Sequence, residues 1–288
     1  MEPVLEIKGL KKNYKDFSLK GIDITLERGY IMGFIGPNGA GKTTTIKLIM
    51  NLLKKDDGYI KVFGLDNVEH ELDIKQKIGF VYDESNYYEE LTISEMKWVV
   101  APFYKTWDDN AFNKYIREFN LPVNKKIKEL SKGMKMKFSL AVALSHNAEL
   151  LIMDEPTSGL DPLVRRELLE ILSQVIQDEN KAVFFSTHIT SDLEKIADYV
   201  TLINDGEILL SLEKDELLNN YGLVRGGKEL LNDVNPKDFI DIKENQFGFE
   251  ALVKDKNEAR KSYRDKIIIE KPSLEDIMLY HTRRYKNA

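Results

Sequence analysis

Residues 36–44 read GPNGAGKTT, so that Gly36, Gly41, Lys42 and Thr43 keep the spacing G-x-x-x-x-G-K-[ST]. A glycine-rich turn of this kind lets backbone N–H groups converge on phosphate oxygens. Lys42 can reach the terminal phosphates of a nucleotide, and the Thr43 hydroxyl can ligate Mg2+. The apolar run YIMGFI precedes the turn and a helical run follows it. That context puts the positive end of a helix dipole at the anion. The plain alternative is a glycine-rich turn carrying an exposed lysine.

Further along, LLIMDEP (150–156) is an apolar strand ending in two carboxylates. In a doubly wound sheet such a strand presents them at its C-terminal edge, beside a phosphate loop. Asp154 suits a direct or water-mediated role at Mg2+. Glu155 suits a general base that orients or deprotonates an attacking water. His188, in FFSTHIT, lies just beyond another apolar strand, where it can contact a γ-phosphate. His70, His146 and His281 have no such context and read as surface or packing residues. The stretch LSKGMKMK (130–137) crowds lysines at the start of a helix. It could be a solvated basic face, a nucleic-acid patch, or a helix N-terminus built to hold phosphates. Aromatic residues are not interleaved with these lysines, which weakens the nucleic-acid reading.

The elements that must position these groups follow from hydrophobic pattern. Strand-like runs fall at 4–7, 18–26, 30–36, 58–64, 77–82, 150–154, 182–187, 198–203 and 206–210. Helical runs fall at 41–52, 93–104, 109–119, 132–146, 162–178, 189–196 and 213–219, with TISE (92–95) as a capping box. This alternation predicts an α/β fold with a partly parallel sheet. Residues 84–148 read as helix only, an inserted helical subdomain. After about residue 212 short strand-like pieces (DFIDIK, FGFEALV, KIIIE) alternate with charged loops, and Leu274, Ile277 and Met278 sit at helical spacing near the end. Residues 220–288 therefore read as a small C-terminal α+β extension to a main domain over 1–219.

Composition narrows the classes. The 288 residues are 42% hydrophobic and 31% charged with a net charge of −6, which fits a globular chain that does not bind nucleic acid as a whole. There is no cysteine, so disulfides, thiolate catalysis and Cys-type zinc sites are excluded. No apolar run approaches the roughly 18 residues that span a bilayer, and MEPVLEIKGL does not read as a signal peptide. The expectation is a cytoplasmic chain that reaches a membrane only through a partner.

The order of P-loop, helical insert, LSKGM, LLIMDE, SGLD (158–161) and STH (186–188) resembles the ATP-binding subunit of ABC transporters over roughly residues 1–215. The resemblance implies a P-loop NTPase core, a RecA-like sheet plus an antiparallel β part, binding ATP with Mg2+. It implies that Gly36, Pro37, Asn38, Gly39, Ala40, Gly41, Lys42, Thr43 and Thr44 cradle the phosphates and that Tyr14 stacks on adenine. Ser131 and Gly133 would cap the γ-phosphate of ATP held by another copy. Gly159, Leu160 and Asp161 would cross the dimer interface, and His188 would be the switch histidine. The partners implied are an integral-membrane permease and a second ATPase, identical or related, at the cytoplasmic face of the membrane.

The sequence departs from the family pattern in the signature, usually LSGGQ, where Lys132 and Met134 replace Gly and Gln. It departs again after KIGFVY, where Asp83 stands for the usual Gln and could reach Mg2+ or the water. Within the family, the short first strand, the K-G-M variant and the PSLEDIMLY ending resemble ATPases of ABC-2-type exporters. Relatives of that type expel peptides, bacteriocins and antibiotics, including amphipathic toxins such as phenol-soluble modulins. The alternative, a soluble ABC-type ATPase acting on DNA or ribosomes, lacks the long heptad insertion or the second P-loop it would need. A GTPase reading lacks N-K-x-D. YYEELT (87–92) and WVVAPFY (98–104) offer groups for the membrane partner, with Trp98 and Val99 read as ordinary helix packing.

Overall fold

A computed structural model describes residues 2–82, 87–232 and 234–287. The chain opens with an antiparallel pair, β1 (Leu5–Asn13) and β2 (Ser18–Leu26), followed by β3 (Ile31–Ile35) and α1 (Lys42–Ile49). Next come β4 (Asp57–Val62), β5 (Leu65–Asp66), α2 (Glu71–Lys75) and β6 (Ile78–Val81). Between 87 and 148 the named elements are helical: α3 (Ile93–Val100), α4 (Asp109–Glu118), α5 (Lys132–Ser145) and short 3-10 turns. The alternation then resumes with β7 (Leu150–Asp154), α6 (Pro162–Val175), β8 (Ala182–Thr187), α7 (Thr190–Ile196), β9 (Tyr199–Asn204), β10 (Glu207–Glu213) and α8 (Lys214–Asn220). The final stretch holds β11 (Gly222–Gly227), β12 (Asp241–Glu244), β13 (Gly248–Val253), α9 (Lys256–Tyr263), β14 (Ile267–Glu270) and α10 (Leu274–Asn287).

The central sheet runs β10-β9-β3-β8-β7-β6, with β9-β3-β8-β7-β6 parallel and β10 antiparallel at one edge. Its inner strands IMGFI, LLIMD and AVFFST are buried along their whole length. Such strands read as unbroken apolar runs because both faces are covered. Along β8 the faces alternate: Phe184 packs into the core shared with β1, β2, β4 and α1, while Val183 and Phe185 face α5, α6 and α7. A second sheet, β2-β1-β4-β5, is antiparallel and covers the first of these faces. A third, β12-β13-β11-β14, is antiparallel and lies wholly after residue 220.

Most expected elements form near their expected bounds, and TISE makes the capping box: Thr92 accepts from the Glu95 amide and Glu95 accepts from the Thr92 amide. The pattern reading missed β5, α2, β11 and α9. It also placed Trp98 among packing residues, whereas Trp98 is 72% exposed, with the Lys97 ammonium 5.1 Å from its ring centroid. Val99 does pack against the core.

Candidate functional site

The site arises from strand order. β3, β8 and β7 are neighbours and parallel, so their C-terminal ends lie side by side. The chain leaves β3 into residues 36–41, leaves β7 into Glu155, and leaves β8 into His188. Residues distant in sequence thus meet at one sheet edge. There they line a cleft of about 490 Å³ formed by Phe17, Asn38, Gly39, Gly41, Lys42, Thr43, Thr44, Glu155, Ser158 and His188.

The loop turns into α1 through Gly41, whose φ of 114° falls in a region that side-chain-bearing residues avoid. An added Cβ there would lie 2.7 Å from Leu19 Cδ2 and 2.9 Å from Phe17 Cζ. Glycine is therefore required both by conformation and by space. Lys42 is only 6% exposed and curls back, its ammonium donating to the carbonyls of Gly36 (2.8 Å) and Pro37 (3.3 Å). The same ammonium stands 3.3 Å from Glu155 Oε1. Thr43 is exposed at the cleft floor, and Gly36 and Ala40 are buried behind it.

Glu155 takes φ 49°, an uncommon left-handed conformation for a side-chain-bearing residue. The turn is held by its own amide, which donates to the Ser186 carbonyl at 3.0 Å. This aims the carboxylate back into the cleft, where Oε2 accepts from the His188 amide (3.2 Å) and lies 2.8 Å from His188 Nδ1. One carboxylate thus bridges Lys42 and His188. Asp154 is 4% exposed and accepts from the Ser186 hydroxyl at 2.6 Å, set behind the cleft wall. Burial raises the Tyr82 phenol above its ordinary range, and the Asp154 charge adds to the rise.

Other expected residues fall elsewhere. Tyr14 is 46% exposed at the tip of the β1–β2 hairpin, 6.4 Å from Phe17 ring to ring, and Phe17 is the aromatic on the cleft wall. Asp83, expected near Mg2+, lies outside the described residues. Ser131 caps α5, its hydroxyl oxygen accepting from the Met134 amide at 3.2 Å. Gly133 is buried against α6, where a Cβ would lie 2.8 Å from Val164 Cγ1. Neither lines the cleft of this chain. Asp161 caps α6, accepting from the Leu163 and Val164 amides, with Pro162 opening the helix. Lys135 and Lys137 pair with Glu89 (3.5 Å) and Glu167 (2.6 Å) of this chain, so they hold neighbouring elements together. Phe17 escaped the sequence reading, because nothing marks a lone phenylalanine. Ser158 and Ser186 lie inside the motifs SGLD and STH but were given no role there, and the structure puts Ser158 on the cleft lining and Ser186 on Asp154.

A phosphate loop on one strand of a parallel sheet, with a histidine-tipped strand beside it and a carboxylate-tipped strand next in order, is the arrangement of a P-loop nucleotide hydrolase. The family described as ABC transporter matches residues 19–158. The chain is 33% identical over 220 residues to the bacitracin transport ATP-binding protein of Bacillus licheniformis, covering 75% of this chain and 72% of that one. It is 33% identical to the lantibiotic transport ATP-binding protein of Streptococcus pyogenes, covering 75% of this chain and 96% of that one. A solved structure of the ATP-binding subunit of an ABC transporter superposes with TM-score 0.69 at 28% identity, covering 75% of this chain and 92% of that one. The chain belongs to the ATP-binding subunits of ABC transporters. It is an ATPase whose hydrolysis is coupled to transport.

Proposed function

We propose that the cleft binds ATP with Mg2+, that the Ser131–Gly133 segment of a second copy closes over it, and that hydrolysis powers a membrane-embedded exporter of amphipathic peptides or antimicrobial compounds. The observation that carries the chemistry is the Glu155 carboxylate held between Lys42 and His188. The phosphates of ATP offer Lys42 better acceptors than the two loop carbonyls it now uses. Its transfer to them frees one oxygen of Glu155 for the attacking water, while His188 keeps the other oriented. Glu155 is then the general base, His188 its orienting neighbour with reach to the γ-phosphate, and residues 36–44 the cradle. The base of ATP stacks on the hairpin aromatics, Tyr14 with Phe17 behind it.

The donor set fits Mg2+ carried in with the nucleotide. Thr43 supplies a hydroxyl in the cleft, and Asp154, buried behind the cleft wall and fixed by Ser186, would reach the ion through a water. Among the described residues no cluster of three or more acids and histidines could hold a metal alone. Mg2+ is ordinarily bound by one or two protein groups with phosphates and waters completing its shell. When bound it neutralises charge developing on the phosphates.

Residues 1–219 form the nucleotide-binding part in this reading, 84–148 its helical subdomain and 220–288 the extension, supported by a third sheet confined to the end of the chain. Among the described residues no helix is long and apolar enough to cross a membrane; in this reading the chain attaches peripherally, at the cytoplasmic face, through a permease. The export reading draws on relatives named for bacitracin and lantibiotic transport. Glu155→Gln should lower ATP turnover about 10³-fold, within the range of general-base catalysis, and leave ATP binding intact. The same variant with ATP and Mg2+ should capture a multi-span membrane protein from solubilised membranes of the host. Turnover at the wild-type rate would remove Glu155 from the mechanism, and capture of soluble partners alone would remove the exporter.

A further inference from the structure

We propose that Arg165 and Asp192 are a positioning pair that ties the Gly159–Asp161 loop to the His188 side of the cleft, so that the two loops move together. The pair joins α6 to α7. Arg165 Nε donates to Asp192 Oδ1 at 2.6 Å, and its Nη2 donates to Ser191 Oγ at 3.0 Å. Asp192 is fully buried, at 0% exposure. A buried ion pair adds little net stability, because desolvation offsets the attraction. What it supplies is direction, since two prongs of one planar guanidinium hold two neighbouring acceptors, Asp192 Oδ1 and Ser191 Oγ, while Asp192 Oδ2 is buried with no hydrogen-bond partner among the described residues.

Each partner lies one helical turn from a functional loop. The Arg165 amide donates to the Asp161 carbonyl, and Asp161 caps α6 directly after Gly159 and Leu160. The Asp192 amide donates to the Ile189 carbonyl, and Ile189 follows His188. His188 in turn holds Glu155 through its amide and Nδ1. A continuous path runs from the loop at 159–161 through Arg165, Asp192 and His188 to the carboxylate of Glu155.

Helix α7 has only seven residues, too few to hold its orientation unaided. Its far side is fixed by the C-terminal part of the chain. Glu194 Oε1 accepts from the Leu274 amide at the start of α10 (2.7 Å), and the Glu194 carbonyl accepts from Lys214 Nζ (3.1 Å). With that side anchored, the front turn beside His188 is held by Arg165 together with the Thr187 hydroxyl, which accepts from the Ile189 amide at 2.9 Å. Neither Arg165 nor Asp192 lines the cleft. The pair therefore acts on turnover and not on nucleotide affinity.

This proposal rests on Glu155 and His188 forming the hydrolytic site. The test uses the full chain with Arg165→Met/Asp192→Leu, which removes both charges and orphans neither, and Arg165→Lys, which keeps charge but loses the fork. The double variant should stay folded, keep its KM for ATP within about twofold, and lose about tenfold in kcat, the scale of a small misplacement of reacting groups. Arg165→Lys should recover part of that loss. The His188 imidazole resonances should shift in the double variant. A folded double variant with wild-type kcat, with a loss in KM alone, or with unchanged His188 resonances would overturn the pair's role. Glu155→Gln in the same assay keeps the two ideas apart, since its activity tests the base while the resonances of His188 test the clamp.

Discussion

Helices α1 and α5 begin alike and sit in opposite surroundings. Each opens on a lysine after a small residue, Gly41 or Ser131, and neither has an acid in its first turn. Both starts therefore present amide donors and a positive helix end to an anion. The start of α1 is concave: Lys42 is buried, Phe17 forms a wall, and Glu155 and His188 close the other side. The start of α5 is on the surface, with Ser131 and Lys132 exposed and Lys135 and Lys137 engaged by acids of the same chain. One end has an enclosing cleft, and the other is a donor array that this chain's cleft does not use. That difference is what a site divided between two copies requires. It also separates two kinds of constraint, since residues near Lys42 are fixed by charge and strain and those near Ser131 by packing and capping.

The largest expected effect tests α5 at its other end. His146 caps the C-terminus, is 1% exposed, and stacks on Tyr104 at 3.8 Å. A protonated histidine suits a helix C-terminus, but burial dominates and lowers its pKa from 6.5 to about 4. Above pH 6.5 the ring is neutral in both folded and unfolded chains. Below it the unfolded chain takes up a proton that the folded chain refuses until about pH 4. Stability should fall through this window by about 3 kcal/mol in all. His146→Phe should flatten that part of the urea-stability profile against pH, and an unchanged slope would show that α5 is not anchored by a neutral ring. Next in size is Gly133→Ala. The clash with Val164 is worth about 1–3 kcal/mol, against about 1 kcal/mol that alanine gains in a helix. A net loss of about 1 kcal/mol, relieved by adding Val164→Ala, identifies packing as the need for glycine. Loss of ATP-dependent activity with no loss of stability would assign Gly133 to phosphate contact alone. The smallest effect is Ser131→Ala, about 0.5 kcal/mol from a long cap bond. Its turnover should fall most at low protein concentration, where pairing of copies is limiting.

Legibility followed the same division. The phosphate loop could be read because its chemistry demands fixed spacing within nine residues, Asp154 and Glu155 because they follow the unbroken apolar run LLIM, and His188 because it lies just beyond the mostly apolar strand AVFFST. The left-handed turn at Glu155 left no mark, since glutamate is an ordinary residue there by composition. Arg165 and Asp192 were invisible because they are 27 positions apart and such residues are common on helix surfaces. Gly133 read as a phosphate contact, and only the packing of α5 on α6 brings Val164 against it. In the last part of the chain β11 was missed because GLVRGG ends in glycines, and α9 because only Ala259 and Tyr263 of its eight residues are buried.

The central claim, that the starts of α1 and α5 are two halves of one site, is tested most directly by mass. Sedimentation of Glu155→Gln with ATP and Mg2+ should give a dimer, and without nucleotide a monomer. Ser131→Arg added to the same chain should leave ATP binding intact and abolish the dimer. A Glu155→Gln chain that binds ATP yet remains monomeric at every concentration, or dimerises equally well with Ser131→Arg, would contradict the account.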